Sequence, residues 1–276
     1  MKAYLELIRP SNSIMAGFAV FLSGMIATGR AVPPIEVFFA VMGTISASSA
    51  GMAINDYFDY DIDIINRPDR VLPRGVISRK SALLFALILF GLAYFFIGFT
   101  NLLCIGIGYP AVVLIFVYSW KLKRLPFIGN FVVAFLTSLT LVYGGAAARN
   151  IVLVTMLAVC AFFANLSREI VKDIEDIKGD ERSGSRTFPI LYGIPRSFLA
   201  AAIFLGFGIA ATFLPYFSGL FGWIYLLLIV PVDGVMLYMG YLLVLRRIDR
   251  ISLIQRIEKA GMYAVLIIFF ISKMIQ

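Results

Sequence analysis

The chain of 276 residues contains no histidine. That absence excludes an imidazole general base, a Ser-His-Asp triad and every zinc or iron site built on histidine, and it leaves carboxylates as the ligands for any metal. Cysteine is almost as scarce. Cys104 and Cys160 both fall inside long apolar runs, with neither metal spacing nor a redox motif around them, and are expected to be small packing residues. Charge is thin as well, at 14% of residues against about 25% in a typical soluble domain. No linker or low-complexity segment divides the chain.

What is abundant is apolar surface, 61% of residues. Runs long enough to cross about 30 Å of hydrocarbon fall near residues 11–29, 35–55, 82–100, 102–119, 127–147, 151–167, 197–216, 221–244 and 259–275. The expected fold is therefore an all-α polytopic membrane protein with nine transmembrane helices. The first run has no small-residue cleavage site and is expected to be a retained helix. Of the 24 Lys and Arg residues, all but Arg30, Arg149 and Lys273 fall before the first span or in alternate loops. The positive-inside rule then places the amino terminus in the cytoplasm and, after nine crossings, the carboxyl terminus outside. The net charge of +8 is assigned to orientation and to anionic headgroups of the bilayer, with no nucleic-acid partner.

Asp56, Asp59 and Asp63 follow the second run, and the same spacing returns as Asp173, Asp176 and Asp180 after the sixth. Steps of three and four place each set within a roughly 60° arc of one helix face. An even number of spans separates the two sets, so both lie on one side of the membrane. The repeat predicts a single domain over 1–276 with two pseudo-repeated halves, about 1–125 and 126–245, and a last helix. Two polar stretches, 56–81 and 168–196, are expected to be long functional loops. The first holds a Pro- and Gly-rich turn carrying Arg67, Arg70 and Arg74.

Six aspartates at neighbouring helix ends repel one another unless they are neutralised. Magnesium suits a site of one or two carboxylates completed by water and substrate phosphate. Arg67, Arg70, Arg74, Lys172, Lys178, Arg182 and Arg186 surround them, and Arg binds phosphate bidentately. Taken singly, each of these residues fits an interfacial salt bridge equally well; the repeated spacing favours a metal-bridged polyphosphate site. Asn12 could cap the first span or reach the site, and the latter is favoured. Asp233, inside the eighth run, has no partner nearby in sequence and no assigned role.

The stretch Asn55-Asp56-Tyr57-Phe58-Asp59-Tyr60-Asp61-Ile62-Asp63 resembles the Asn-Asp-x-x-Asp-x-x-x-Asp motif of the UbiA family of intramembrane prenyltransferases, and residues 173–180 resemble its second aspartate motif. The resemblance covers essentially the whole chain. It implies a helical bundle around a hydrophobic cavity, in which Asn55, Asp56, Asp59, Asp63, Asp173, Asp176 and Asp180 hold Mg2+ against an isoprenyl diphosphate donor. Asp59, Asp63, Asp176, Asp180 and Tyr118 are the expected catalytic set, and Asn12, Arg67, Arg70, Arg74, Lys121, Lys123, Lys172 and Arg182 the expected diphosphate- and substrate-binding set. Family members often carry Tyr-x-x-x-Lys after the fourth span. Here lysines stand three and five residues after Tyr118, which leaves Lys121 and Lys123 as alternatives. Finer likeness at 65–75 and 168–176 is to the archaeal lipid-forming branch, implying transfer of a geranylgeranyl group to a lipid-like phosphate acceptor, geranylgeranylglyceryl phosphate. An aromatic quinone precursor or tetrapyrrole acceptor is the alternative, and a membrane transporter a remoter one.

Overall fold

The computed structural model describes residues 2–182 and 185–276. Every regular element among them is helical. In chain order these are α1 (Lys2–Ile8), α2 (Pro10–Thr28), α3 (Ile35–Phe58), α4 (Tyr60–Asn66), α5 (Arg79–Gly98), α6 (Leu102–Trp120), α7 (Ile128–Ala147), α8 (Val152–Arg182), α9 (Phe188–Tyr192), α10 (Ile194–Thr212), α11 (Leu214–Phe217), α12 (Trp223–Val244) and α13 (Ile251–Ile275). Among the described residues eight helices are long and apolar enough to cross a membrane. The ninth expected span is the later part of α13, whose first turns carry Arg256, Glu258 and Lys259 and dilute its apolar character.

Local sequence explains most helix ends. Pro10 occupies the first turn of α2, where its missing N–H costs nothing, and Gly29 ends that helix at φ 65°, a conformation open to glycine. Ser78 and Asn101 cap α5 and α6, accepting from the backbone N–H groups of Ser81 and Cys104 at 3.0 Å each. The Asn101 amide also donates to the Ala146 carbonyl at 2.8 Å, tying the start of α6 to the end of α7.

Side chains facing outward on the spans, among them Phe95, Leu103, Phe207 and Leu237, are exposed and apolar, as a lipid-facing surface requires. Interior packing relies on small residues. A Cβ on Gly144 of α7 would collide with the Val20 carbonyl of α2, so these two helices pack backbone to backbone. The Ser23 hydroxyl donates to the Leu141 carbonyl across the same seam.

Two expectations need correction. The stretch 168–196 is not mainly a loop: α8 runs unbroken for 31 residues, about 46 Å at 1.5 Å per residue, so it outlasts the hydrocarbon and carries the second acidic set on its projecting end. The stretch 56–81 is likewise helical through Asn66. In addition, Asp56, Asp59 and Asp63 do not share one regular helix. α3 stops at Phe58, Asp59 takes φ −89° and ψ 0°, and α4 resumes at Tyr60. The break is mild, since the N–H groups of Asp59 and Asp63 still bond four residues back, at 2.9 and 2.7 Å.

Substituting Gly144 with alanine should lower stability by about 1–3 kcal/mol through overpacking. A thermal melt of the detergent-purified protein measures it, and an unchanged melting temperature would contradict the close α2–α7 approach.

Candidate active site

The first acidic set lies where the apolar bundle meets the polar turn 67–78. Asp56 is 4% exposed, and its Oδ1 accepts from Arg9 Nη2 at 2.5 Å and from Arg70 Nη1 at 3.2 Å. Asp63, also buried, accepts from Arg70 Nη1 at 2.5 Å. One guanidinium therefore joins carboxylates on two sides of the α3–α4 break, which holds the bend closed. Lys123 Nζ donates to Asp59 Oδ1 at 2.6 Å and to Asn55 Oδ1 at 2.9 Å, while the Asn55 amide donates to Asp59 Oδ2 at 2.9 Å. Burial pushes the Lys123 ammonium below the usual lysine range, and the Asp59 carboxylate beside it pulls back toward the charged form.

Arg9 sits between α1 and α2 at φ 46°, an uncommon conformation for a residue other than glycine. Its place before Pro10 disfavours the right-handed helical region, and the turn that results aims the guanidinium back at Asp56. Arg9, Arg67, Arg70 and Asp56 line one cleft of about 450 Å³.

In the second set, on α8, Asp173 is held by a neutral partner. Asn130, buried in the first turn of α7, donates to Asp173 Oδ2 at 2.8 Å. Asp176 is exposed, and no ion pair among the described residues includes Asp173 or Asp176. Lys172 bonds Glu169 at 3.5 Å, one turn back, and its charge also reaches Asp173 and Asp180. Asp180 lies in the field of Arg67 as well, and Arg67 lines the cleft of the first set.

The segment from Lys123 to Asn130 bridges the two. Its first residue grips Asp59 and its last grips Asp173, seven residues apart in sequence, so the acidic sets are on one side of the bundle and adjacent. Tyr118 is within electrostatic reach of residues of both sets, Asp59 of the first and Asp173 of the second, and of Glu169.

Other expected residues lie outside this constellation. Asn12 and Lys121 are exposed, and neither side chain bonds to a described residue; Asn12 stands at the third position of α2 and does not cap it. Arg74 pairs with Glu6 of α1 at 2.5 Å and does not line the cleft. The side chain of Arg182 lies outside the described part of the structure. Lys123, two residues past Lys121, is the lysine that meets the first set. Arg9 and Asn130 carry no motif. Their signal was polarity at the mouth of an apolar run, which marks a residue without naming its partner.

Among the described residues no three carboxylates converge closely enough to enclose a metal. The donor set nonetheless fits Mg2+ of the substrate-bridged kind, which takes one or two carboxylates and completes its shell with water and phosphate oxygens. Asp173 and Asp176 offer carboxylate oxygens that enter no ion pair among the described residues.

Aspartates thus stand at the ends of two spans, and Asp56 among them lines a cleft with Arg9, Arg67 and Arg70. Residues 16–252 match the UbiA prenyltransferase family, and the chain belongs to that family. It is 41% identical over 278 residues to the digeranylgeranylglyceryl phosphate synthase of Thermococcus kodakarensis, covering 100% of this chain and 99% of that one. The enzyme of the same name from Methanopyrus kandleri is 39% identical, with 99% of both chains covered. A solved structure of digeranylgeranylglyceryl phosphate synthase superposes with a TM-score of 0.89 at 32% identity, over 100% of this chain and 99% of the other. A UbiA homolog from Archaeoglobus fulgidus, bound to GPP and Mg2+, shares the fold at a TM-score of 0.70 and 15% identity, over 97% and 99% of the two chains. The chain is thus a multi-pass membrane prenyltransferase.

The paired lysines provide a test. Lys123→Met should cut turnover by about 10²-fold or more, as loss of one charge-stabilising group does in other enzymes, whereas Lys121→Met should stay within a few-fold of the parent. Steady-state assays on both variants measure the contrast, and equal losses would contradict the assignment of Lys123.

Proposed function

We propose that this protein transfers a geranylgeranyl group from geranylgeranyl diphosphate to the free hydroxyl of geranylgeranylglyceryl phosphate, forming the second ether bond of an archaeal membrane lipid. The observation that carries this reading is end-to-end similarity near 40% to enzymes named for that product. Arginines lining the first cleft suit it, since both donor and acceptor are anionic.

In this account Arg9, Arg67 and Arg70 bind the donor diphosphate, with Lys123 at its edge and Lys172 and Arg182 approaching from the α8 side. Asn12, Arg74 and Lys121 stand outside the cleft and are given no contact with the diphosphate. Asn55, Asp56, Asp59 and Asp63 on one side and Asp173, Asp176 and Asp180 on the other hold Mg2+, which when bound stabilises charge developing on the leaving oxygens. Asp59, Asp63, Asp176 and Asp180 are the ligands whose loss affects turnover most. Asn130 fixes the Asp173 carboxylate in place.

The bond from prenyl C1 to the diphosphate oxygen breaks first, and the allylic cation is kept from water by the apolar bundle. Tyr118, within electrostatic reach of both acidic sets, presents its ring face or hydroxyl oxygen to that cation. The acceptor hydroxyl oxygen then bonds to C1, and its proton passes to Asp63 or to the released diphosphate. With the basic loops in the cytoplasm, the amino terminus and active-site loops face that side and the carboxyl terminus lies outside.

Purified protein given labelled geranylgeranyl diphosphate, Mg2+ and a choice of geranylgeranylglyceryl phosphate, hydroxybenzoate, naphthoate or chlorophyllide should label the first alone. Transfer to an aromatic or tetrapyrrole acceptor would overturn the substrate assignment. Asp59→Asn and Asp176→Asn should each reduce kcat by about 10²-fold or more while the protein remains folded. Near-normal rates in both would remove the two motifs from the chemistry.

A further inference from the structure

Two guanidinium groups hold the α3–α4 break, which sets the angle of the first acidic set. Arg70 bonds the carboxylates of Asp56 and Asp63. The second group is that of Arg79, the first residue of α5. Its Cζ lies 4.8 Å from the ring centre of Tyr57, in the last turn of α3, and 5.3 Å from that of Tyr60, which begins α4. Asp59, the residue at the break, stands between the two tyrosines in sequence. At about 100° per residue, Tyr57, Tyr60 and Asp61 project roughly 110° around from Asp56, Asp59 and Asp63, so Arg79 grips a different face of the same bend.

Arg79 occupies a position that its charge disfavours. The first turn of α5 has no acidic residue, and Lys80 adds a second cation where the helix dipole is already positive. Ser78 caps the helix without help from Arg79. Asp61 lies 3.7 Å away, but both side chains are exposed and such a pair contributes little. The two aromatic faces are the partners that favour the guanidinium there, since a ring attracts a cation within about 6 Å of its centre. Both rings are half-buried against the core cluster that includes Ala82 and Ala86 of α5, so they form a fixed platform.

The two grips fare differently when substrate binds. Arg70 lines the cleft assigned above to the donor diphosphate, and a guanidinium that turns to phosphate oxygens shares or gives up its bonds to Asp56 and Asp63. Arg79 is not among the residues lining that cleft, and its contacts with the rings have nothing to exchange with a phosphate. The bend therefore rests more on Arg79 in the donor-bound state than in the free one. Whatever a group contributes to the bound state beyond its contribution to the free state is read as affinity.

We infer that Arg79 is a positioning residue: its guanidinium, lying over Tyr57 and Tyr60, keeps Asp56, Asp59 and Asp63 in register across the break once the donor diphosphate has drawn Arg70 away. The inference rests on the placing of the diphosphate in the cleft of Arg9, Arg67 and Arg70.

The test measures binding of a non-hydrolysable geranylgeranyl diphosphate analogue, with Mg2+, to the full-length protein in lipid nanodiscs, beside the thermal melt of the analogue-free protein. Arg79→Met should weaken the analogue about fivefold, the ratio for ~1 kcal/mol of cation–ring attraction, and leave the analogue-free melting temperature within about 2 °C of the parent's. Arg79→Lys, which keeps a cation over the rings, should recover most of the affinity. Tyr60→Phe should bind like the parent and Tyr60→Leu like Arg79→Met. Should Arg79→Met not fold, Arg79→Gln takes its place, and if neither folds the contrast between the two Tyr60 variants decides. Parent-like affinity in Arg79→Met overturns the inference, as does a fall in melting temperature with no fall in affinity, the mark of a tie that serves free and bound states alike. A loss in Asp61→Asn as large as that in Arg79→Met assigns the effect to the ion pair and also overturns it. Arg70→Met separates this inference from the reading beneath it and should weaken the analogue more than Arg79→Met does. Unchanged affinity there removes the diphosphate from the cleft and overturns both; weakened affinity there beside parent-like Arg79→Met overturns the role of Arg79 alone.

Discussion

Carboxylates buried where an apolar bundle ends must each meet a positive charge or a hydrogen-bond donor, and that requirement organises the functional end of this molecule. Asp56 and Asp63 are almost wholly removed from solvent. Breaking a buried ion pair leaves a bare charge and typically costs about 3–5 kcal/mol. Arg9 and Arg70 are consequently drawn inward, with the turn before Pro10 and the helical turns of 67–75 shaped to deliver them. Lys123 does the same for Asp59.

Asp56, Asp59 and Asp63 each meet a cation, whereas Asp173 and Asp176 enter no ion pair among the described residues. The first set is balanced by arginine and lysine already in place, and in the proposed function the guanidinium groups of its cleft are what an incoming diphosphate would meet. On α8, Asp173 leans on the neutral amide of Asn130, and Asp176 is open to solvent. Carboxylates of this kind accept a hydrated cation that arrives with its phosphate. In the proposed reaction the arginines of the first set would meet the diphosphate directly and carboxylates of both sets would share the metal that arrives with it, while the segment from Lys123 to Asn130 ties the two sets together.

Much of this was legible in the chain. Aspartate spacing, the even number of intervening spans and the bias of Lys and Arg toward alternate loops were enough to place both sets on one face of an all-helical bundle. Less legible was which cation meets which carboxylate. Arg9 and Lys123 reach Asp56 and Asp59 across 47 and 64 positions of sequence, through packing that no local pattern encodes. Helix limits were misjudged where polarity was read as loop. Residues 168–182 are charged yet continue α8, because Glu, Lys and Arg are good helix formers and hydropathy reports only the membrane boundary. Asp59 shows the reverse, a helix break inside a spacing that looks regular, favoured by the weak helix propensity of aspartate and the pull of Lys123.

The central claim, that the metal is recruited together with the diphosphate and not held by a carboxylate cage beforehand, is tested most directly by Mn2+ binding followed by electron paramagnetic resonance. Titrations of the purified protein with and without a non-hydrolysable geranylgeranyl diphosphate analogue should show tight binding, with phosphorus hyperfine coupling, only when the analogue is present. Equally tight binding of Mn2+ to the protein alone would contradict the account.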